Sequence, residues 1–363
     1  MALTVKNKGI IEQKFRILIL GVGGNVSQGI LKALRKSIYR LHIIGACVSA
    51  TSVGLYFCDE SYICPYAADE DFISWYIDFC NKHEVDMTFT GVEENIDVLL
   101  KNRREIEKKC NTVFVYPDAA AWEVGRDKLE TCRWLRDNYC NYPLFLSLSE
   151  NYDSNHDRNK DEILKKIGEI KYPLIAKPRR AKGSFGIRKI NNENELLRFL
   201  DHKINDEYVL EKYIGSESSE YTVGCYCDRN GKYVASIIAG RYLRNGSTSI
   251  CSITDSAVIN EEVMRICNRL KNPGPLNIQI RIDDAGKPVC FELNVRYSGI
   301  TAVRNELGFK DVDAAIKEYL LNERITEKDF CHEYGCALRF EEEKLFNCSF
   351  EELVANMVKE GRA

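Results

Sequence analysis

The fold is decided by two stretches of alternating polarity, Leu276-Asn277-Ile278-Gln279-Ile280-Arg281-Ile282 and Phe291-Glu292-Leu293-Asn294-Val295-Arg296. Side chains on a strand point to opposite faces in turn, so each stretch predicts a strand with one apolar and one polar face. The residues Asp283-Asp284-Ala285-Gly286 suit a turn, and a four-residue turn at Asp284 to Lys287 would fix the register of the two strands. With that turn, the strands form an antiparallel hairpin in which Gln279 lies directly opposite Glu292.

The polar face of this hairpin carries a set of oxygen ligands. Gln279 and Asn294 each contribute an amide oxygen beside the carboxylate of Glu292. Mg²⁺ in proteins prefers one or two carboxylates together with waters and substrate phosphates. Arg296 lies one step further along the same face, where its guanidinium can hold a phosphate oxygen in forked geometry. A solvated hairpin face is the alternative, but it favours Lys, Thr and Glu over two carboxamides around one Glu. The sequence therefore predicts a magnesium–phosphate site.

The first third of the chain alternates strands with helices. An apolar run at Phe15–Leu20 leads through Gly21-Val22-Gly23-Gly24 into a predicted helix at residues 26–36. The further predicted strands are 43–48, 87–90 and 112–116, and the further predicted helices are 71–83 and 96–109. This alternation predicts an α/β domain built on a parallel, doubly wound sheet.

The glycine loop after the first strand raises the alternative of a dinucleotide site. A Rossmann fingerprint has Gly or Ala at its third glycine position, where this chain has Val26. The end of the second strand, Val48-Ser49-Ala50-Thr51, lacks the acid that binds a ribose 2′-hydroxyl and the arginine that binds a 2′-phosphate. A nicotinamide cofactor is therefore not expected at this loop.

The pattern changes at Pro117. Residues 118–138 are predicted to be helical, and the polar residues 151–162 to form an exposed connection. Antiparallel hairpins mixed with helices then predict an α+β module after the α/β one. The paired strands are expected at 174–177 with 186–190, and at 208–213 with 221–228 and 233–239; a strand at 337–340 and a short helix are expected near the end of the chain.

A basic, glycine-containing loop follows the strand that ends in Lys177-Pro178. It reads Arg179-Arg180-Ala181-Lys182-Gly183-Ser184-Phe185-Gly186-Ile187. Glycines let backbone N–H groups come close to phosphates, and a lysine at the base of the loop supplies charge to them. A basic surface hairpin or a nucleic-acid patch is the alternative, which the formal net charge of −3 for the whole chain disfavours.

Composition argues against several classes of protein. The net charge gives no basic field for nucleic acid. No long uncharged apolar run predicts a membrane span, and residues 1–14 lack the apolar core of a secretory signal, so we expect a cytoplasmic protein. The 15 cysteines contain no C-x-x-C pair, and with five histidines a zinc site is not expected. The cysteines are predicted to be reduced and mostly buried.

Two motifs give the chain a specific resemblance to the ATP-grasp superfamily. The resemblance is carried by Gly274-Pro275-Leu276-Asn277-Ile278-Gln279 and by Phe291-Glu292-Leu293-Asn294-Val295-Arg296-Tyr297-Ser298-Gly299. Within the superfamily, the chain looks like the branch of the carbamoyl-phosphate synthase large subunit and the amino-acid ligase of pyrrolysine biosynthesis.

This resemblance implies a domain order. An N-terminal Rossmann-like, pre-ATP-grasp domain at 1–117 is expected to precede a two-subdomain ATP-grasp fold. The small subdomain, with the phosphate loop, is placed at 118–220, and the large subdomain, with the metal site, at 221–330. A C-terminal strand and helix occupy 331–363. The expected fold class is thus α/β followed by α+β.

The resemblance also implies roles for residues of the hairpin. In that family the matching Gln, Glu and Asn hold two magnesium ions on the ATP phosphates, which assigns the metal to Gln279, Glu292 and Asn294. The matching arginine stabilises the transferred phosphoryl group, a role that falls to Arg296. Arg241 matches a position that contacts phosphate or acyl phosphate. Mn²⁺ is an alternative to Mg²⁺ at such a site.

The nucleotide contacts implied by the resemblance come from several segments of the middle third. Lys128 follows Gly125-Arg126-Asp127 and matches one ATP lysine, while Lys177 matches the other. Glu211 with its adjoining backbone is matched to adenine and Glu220 to ribose, since acids suit an amino group and hydroxyl donors. The complete set is Lys128, Lys177, Gly183, Ser184, Gly186, Glu211, Lys212, Tyr213, Ile214 and Glu220.

Pre-ATP-grasp domains generally line the acceptor-substrate site without binding NAD. By this resemblance, the helix start after the glycine loop is expected to bind a substrate carboxylate. An acid after the strand 87–90 is expected to face the same cleft. The substrate candidates are Asn25, Ser27, Gln28, Glu93 (with Glu94 as its alternative) and Ser298.

The expected activity is ATP-dependent carboxylate–amine ligation of a small molecule, such as an amino acid, through an acyl phosphate, with release of ADP and phosphate. The alternatives are a carboxylation or carbamoyl-type phosphorylation at the same site, and a non-catalytic nucleotide-binding protein. ATP and Mg²⁺ are the expected cofactors, and a small carboxylate and a small amine the expected partners, with neither nucleic acid nor membrane. The resemblance also allows a homodimer.

Overall fold

The computed structural model describes residues 14–150, 160–181, 183, 185–201, 207–244, 246–340 and 342–357. The chain divides into two compact units. Unit 1 comprises Met1–Tyr116, Ser298–Cys331 and Glu341–Ala363, and unit 2 comprises Pro117–Tyr297 and His332–Phe340. None of the helices in the described ranges is long and apolar enough to cross a membrane. The boundaries expected at residues 117, 220 and 330 stay predictions.

The described residues form strands and helices that we number in chain order. The strands are β1 (Phe15–Leu20), β2 (Leu41–Cys47), β3 (Glu60–Ile63), β4 (Met87–Thr90), β5 (Val113–Phe114), β6 (Phe145–Ser147), β7 (Leu174–Pro178), β8 (Arg188–Ile190), β9 (Tyr208–Lys212), β10 (Glu220–Cys227), β11 (Tyr233–Arg244), β12 (Ser247–Thr254), β13 (Gly274–Ile282), β14 (Pro288–Asn294) and β15 (Cys336–Leu338). The helices are α1 (Asn25–Leu34), α2 (Phe72–Lys82), α3 (Glu93–Lys101), α4 (Arg103–Lys109), α5 (Ala119–Arg126), α6 (Lys128–Asp137), α7 (Lys160–Ile170), α8 (Glu193–Asp201), α9 (Ala257–Leu270), α10 (Thr301–Glu306), α11 (Asp311–Tyr319) and α12 (Phe350–Met357). Short 3₁₀ turns lie at Val53–Phe57, Glu217–Ser219 and Glu327–Asp329.

Unit 1 is built on a five-stranded parallel sheet in the order β3-β2-β1-β4-β5. The central strand β1 is buried on both faces, which suits its continuous apolar run. After β1, Gly21 takes a left-handed backbone (φ +64°), where a Cβ would lie 2.4 Å from Cγ2 of Val92. The predicted α/β class with a parallel, doubly wound sheet is confirmed.

Two predicted helices are each divided in the structure. The helix predicted at 96–109 is α3 followed by α4, and it breaks at Asn102, whose amide donates back to the carbonyl of Val98 at 2.8 Å. The helix predicted at 118–138 is α5 followed by α6, which begins after the capping side chain of Asp127. Of the polar connection predicted at 151–162, residues 151–159 lie outside the described residues, and residues 160–162 begin α7.

Unit 2 contains two antiparallel sheets. One has six strands in the order β14-β13-β10-β11-β12-β15, and the other has four in the order β6-β9-β7-β8. The predicted pairing of β9 with β10 is wrong, because β9 lies between β6 and β7. Gly215, with a left-handed φ of +55°, and the 3₁₀ turn before β10 carry the chain from one sheet to the other. The α+β character of this part of the chain is confirmed.

The hairpin of β13 and β14 has the predicted register at its functional end but a different turn. Gln279 pairs with Glu292, as expected. The turn, however, holds five residues, 283–287, in which the carboxylate of Asp283 accepts from the backbone N–H groups of Ala285 (2.9 Å) and Lys287 (2.8 Å). A β-bulge at Phe291 compensates for the extra turn residue and restores the register.

Candidate active site

A buried ion pair joins two neighbouring strands of the four-stranded sheet. Nζ of Lys177 on β7 lies 2.6 Å from Oε2 of Glu211 on β9, with side-chain exposures of 7% and 2%. Burial works against the charge of Lys177, but the Glu211 carboxylate outweighs it and raises the pKa of the lysine. Burial also raises the pKa of Glu211 against the attraction of the lysine. We take the pair as ionised because the short, charge-assisted contact stabilises both charges together.

The second oxygen of Glu211 has no partner in the described part of the chain. Oε1 is buried there without a hydrogen bond. A buried acceptor without a donor is costly, and such atoms mark places where a ligand or water belongs. The exocyclic amino group of adenine is a donor of the required kind. This atom therefore fits the role that the sequence predicted for Glu211.

Aromatic rings surround the same end of the site. Nζ of Lys177 lies 4.9 Å from the ring centre of Phe291 and 3.4 Å from the Phe291 carbonyl. Tyr213, a predicted nucleotide residue, lies between two cations, with Nζ of Lys189 at 4.2 Å and Cζ of Arg281 at 4.5 Å from its ring centre. The bulge that corrects the hairpin register thus places Phe291 against Lys177.

The other two residues of that predicted segment make local contacts. Nζ of Lys212 donates to the carbonyls of Lys171 (3.1 Å) and Tyr172 (2.9 Å), which fastens the segment before β7 to the end of β9. The carbonyl of Ile214 accepts from Nη1 of Arg281 at 3.4 Å. These contacts fix the backbone that was expected to meet adenine.

The basic loop after β7 is anchored by an acid that the sequence interpretation did not single out. The carboxylate of Asp127 caps α6 and accepts from Arg179 through both Nε (3.0 Å) and Nη2 (2.7 Å). Burial opposes its charge, but the hydrogen bond and charge of Arg179 lower the pKa of Asp127. Nζ of Lys128 donates to the carbonyl of Ala181 in the same loop at 2.9 Å. The position of Asp127 as the N-cap of an amphipathic helix could have identified it from the sequence.

The two predicted glycines of this loop have left-handed backbones. φ is +60° at Gly183 and +73° at Gly186. A Cβ on Gly186 would lie 2.8 Å from Cγ of Pro178, whereas no heavy atom of the described residues lies within 4 Å of the corresponding position at Gly183. Ser184, also predicted to bind nucleotide, lies outside the described residues.

The predicted metal residues come together on the polar face of β13 and β14. Nδ2 of Asn294 donates to Oε1 of Glu292 at 3.0 Å, and Glu292 is in register with Gln279. Within the described part of the chain, no cation lies at ion-pair distance from Glu292, and no three His, Cys, Asp or Glu side chains form a metal-binding cluster. One carboxylate with two amides fits Mg²⁺, which takes its remaining ligands from water and phosphates.

A network of guanidinium groups lies next to these residues. Arg241 donates to Oε1 of Glu220 (2.6 Å) and to Oε1 of Gln279 (2.7 Å), while Arg281 binds the other oxygen of Glu220. Burial opposes the charge of Glu220, but the charge of Arg241 and the contacts with Arg281 lower the pKa of the acid. Glu220, expected to bind ribose, thus has both oxygens bonded to arginines. Arg296 donates from Nη1 to the carbonyl of Tyr297 at 2.9 Å.

The predicted substrate residues lie in unit 1, and two of them bond to the nearby backbone. The buried hydroxyl of Ser27 donates to the carbonyl of Leu20 (3.1 Å) and accepts from the N–H of Gly91 (2.9 Å). This joins the ends of β1 and β4. Nε2 of Gln28 donates to the carbonyl of Gly23 at 2.8 Å.

The other three substrate candidates lie at the start of a helix or in the turn before one. Asn25 is the first residue of α1, and its Nδ2 lies 2.6 Å from the position that a Cβ on Gly299 would take. Ser298 belongs to the turn before α10, where its N–H donates to the hydroxyl of Thr301 at 3.2 Å. Glu93 is the half-buried first residue of α3. The structure therefore brings Asn25 close to the motif that contains Ser298.

Two protein families match the chain. Residues 17–114 match the PylC-like N-terminal domain, and residues 125–300 match the ATP-grasp domain. The chain is 26% identical over 153 residues (39% of this chain, 14% of the relative) to the carbamoyl phosphate synthase large chain of Pasteurella multocida strain Pm70. It is 36% identical over 70 residues (19% of this chain, 20% of the relative) to D-alanine–D-alanine ligase B of Clostridium tetani strain Massachusetts / E88. The matches thus span only a small part of these relatives.

Two solved structures share the fold over most of the chain. The biotin carboxylase domain of 2-oxoglutarate carboxylase from Hydrogenobacter thermophilus, solved with MgADP and bicarbonate, has a TM-score of 0.68 at 15% identity (90% of this chain, 75% of that chain). N5-carboxyaminoimidazole synthetase from Staphylococcus aureus, complexed with ADP, has a TM-score of 0.66 at 18% identity (90% and 81%).

Proposed function

We propose that this chain, which belongs to the ATP-grasp family of ATP-dependent ligases and carries a PylC-like N-terminal domain, is a carboxylate–amine ligase for small molecules. The acid would be activated as an acyl phosphate, and ADP and phosphate would be released. The relatives support ATP-dependent chemistry, while the choice of an acid and an amine rests on the sequence resemblance.

One observation carries the proposal: Glu292, which is half-buried, differs from the two buried acids of the site, Glu211 and Glu220. Glu211 is neutralised by Lys177, and Glu220 by Arg241 and Arg281. In the described part of the chain, the carboxylate of Glu292 has only the amide of Asn294 as a hydrogen-bond partner. A carboxylate left without a cation, beside the side-chain amides of Asn294 and Gln279, suits a magnesium–phosphate complex.

The residues of unit 2 then have distinct roles. Glu292, Asn294 and Gln279 would hold Mg²⁺, which supplies charge neutralisation at the phosphates when bound. Lys177 and Lys128 would hold the nucleotide phosphates below the glycine loop, which Asp127 anchors. Glu211 would accept from the adenine amino group through Oε1, and Glu220 would position Arg241 by its ion pair.

The reaction needs positioning and charge stabilisation more than proton transfer. A carboxylate oxygen of the acid attacks the γ-phosphorus of ATP, and the bond to the β-phosphate oxygen breaks to release ADP. The amine then attacks the carbonyl carbon, phosphate leaves, and the nitrogen loses one proton. Arg296 and Arg241 would stabilise the charge on the phosphoryl oxygens. Asn25, Gln28, Glu93 and Ser298 remain our candidates for substrate contacts in unit 1, whereas Ser27 is left out because its buried hydroxyl is bonded to Leu20 and Gly91.

An ADP-release assay with amino acids as paired acids and amines tests the proposal. The wild type should release ADP with one pair and form an amide that mass spectrometry detects. Glu292→Ala should lose turnover, while Glu261→Ala, a change of an exposed acid on α9, should keep it. Both variants should fold like the wild type by circular dichroism. Binding of Mg-ATP without ADP release for any pair would refute ligation and support a non-catalytic nucleotide-binding protein.

Carbamoyl-type chemistry is the second candidate, because two carbamoyl phosphate synthase large chains are among the relatives, at 26% and 25% identity. The same site would then phosphorylate bicarbonate or carbamate. ADP release that depends on bicarbonate, and that needs no organic acid, would select this reaction over amide formation.

A further inference from the structure

The amide oxygen of Gln279 already has a charged partner. Nη2 of Arg241 donates to Oε1 of Gln279 at 2.7 Å, and the same guanidinium donates to Glu220 through Nε (2.9 Å) and Nη2 (2.6 Å). The exposed fraction of the Arg241 side chain is 11%, so water screens this arginine little. Gln279 is thus bonded to Arg241 on one side and in register with Glu292 on the other.

A metal ion on the same oxygen would meet a like charge. Mg²⁺ binds its oxygen ligands at about 2 Å. With Nη2 at 2.7 Å from that oxygen, the ion and the guanidinium nitrogen would be at most about 5 Å apart. In a half-buried site, two cations this close repel strongly. The two partners therefore compete for Gln279.

We propose that Gln279 exchanges partners, binding Arg241 when no metal is present and the metal ion when the site is loaded. This inference rests on the proposed function, since it takes Gln279 as a metal ligand. The exchange breaks one hydrogen bond of Nη2 and leaves the ion pair with Glu220 in place. The exchange frees one N–H of Nη2 for a phosphoryl oxygen, so metal binding adds a phosphate donor to Arg241 and the two binding events are coupled.

Mn²⁺ binding, measured by electron paramagnetic resonance without nucleotide or substrates, tests the exchange. Arg241→Met removes the competitor and should tighten Mn²⁺ binding by at least ~5-fold, the lower range of ordinary coupling between sites. The matched control is Arg281→Met. It also removes one positive charge from Glu220 but does not touch Gln279, and it should tighten Mn²⁺ binding clearly less.

The double variant Arg241→Met/Gln279→Ala separates competition for Gln279 from the simple loss of a positive charge near the metal. The proposal requires that the gain in Mn²⁺ affinity caused by Arg241→Met disappear when Gln279 is replaced by alanine. An equal gain in Arg281→Met, or a gain that survives in the double variant, would overturn the exchange while leaving the metal site intact. Absence of Mn²⁺ binding to the wild type even with ADP would instead refute the proposed function, and the exchange with it. Circular dichroism checks that each variant folds.

Discussion

Lys177 and Glu211 form a 2.6 Å ion pair that uses only one of the two carboxylate oxygens. The lysine also lies over the ring of Phe291, so the pair connects the four-stranded sheet with the strand of the metal residues. Because both charges are buried, each depends on the other for its stability. The unused oxygen is the part of the pair that can serve a ligand.

Removing one partner of this pair should destabilise the protein more than removing both. Lys177→Met leaves a buried carboxylate, and we expect a loss of about 3–5 kcal/mol in the free energy of unfolding. Lys177→Met/Glu211→Leu removes both charges and should recover most of this loss. Urea unfolding of the four proteins of the double-mutant cycle measures the coupling. Additive losses would contradict a mutually stabilised pair.

Glu211 should decide between adenine and guanine nucleotides if the proposed nucleotide site is correct. In Glu211→Gln the amide oxygen can still accept from Lys177, which places the amide nitrogen where Oε1 lies. The site then offers a donor, which suits the guanine oxygen and opposes the adenine amino group. We expect the preference for ADP over GDP to fall by at least ~10-fold in calorimetric titrations, as for a lost hydrogen-bond match. Glu261→Gln should keep the preference of the wild type.

Two helical glycines should respond in opposite directions to alanine. At Gly125 a Cβ would lie 2.5 Å from Cγ2 of Val295 and 3.1 Å from the carbonyl of Leu293. Gly125→Ala should therefore cost about 1–3 kcal/mol through overpacking. Among the residues that the structure describes, no heavy atom lies within 4 Å of the corresponding position at Gly168 in α7. Gly168→Ala should stabilise by up to about 1 kcal/mol, because alanine favours the helix. Equal thermal midpoints for the two variants would contradict the difference in packing around Gly125 and Gly168.

Asp311 should make the stability of unit 1 depend on pH. Burial raises its pKa from 3.8 to about 6, although Arg304 lies 2.8 Å away and works against the shift. The folded state therefore binds this proton more tightly than the unfolded state. The protonation of Asp311 therefore contributes about 3 kcal/mol to the free energy of unfolding below about pH 4. This contribution is lost as the pH rises to about 6.

Asp311→Asn removes this titration. The stability of the wild type relative to that variant should fall between pH 4 and pH 6 and stay constant above pH 7. Urea unfolding at half-unit pH intervals measures the difference, with the exposed Asp284→Asn as the control. A constant difference across this range, or one that grows with pH, would show that Asp311 does not hold its proton more tightly in the folded state.

The sequence alone was enough to predict the features that depend on residues adjacent in the chain, such as individual strands and motifs. The alternation of apolar and polar residues in 276–282 and 291–296 predicted both strands of the metal hairpin, because each side chain of a strand selects its face from its position. The motif also predicted the ATP-grasp domain that residues 125–300 match. The roles assigned to Glu292 and its neighbours stay predictions.

Only the tertiary structure decided which distant groups meet. The five-residue turn and the bulge at Phe291 each shift the strand register by one residue, in opposite directions. The two shifts cancel, so that Gln279 lies opposite Glu292. The alternation pattern alone did not reveal the turn and the bulge separately, because they compensate for each other in register. Likewise, the contacts of Asp127 with Arg179 and of Glu220 with Arg241 and Arg281 join residues far apart in the chain. Such pairs form where burial makes an unpaired charge costly, and burial is set by the packed sheets rather than by local sequence.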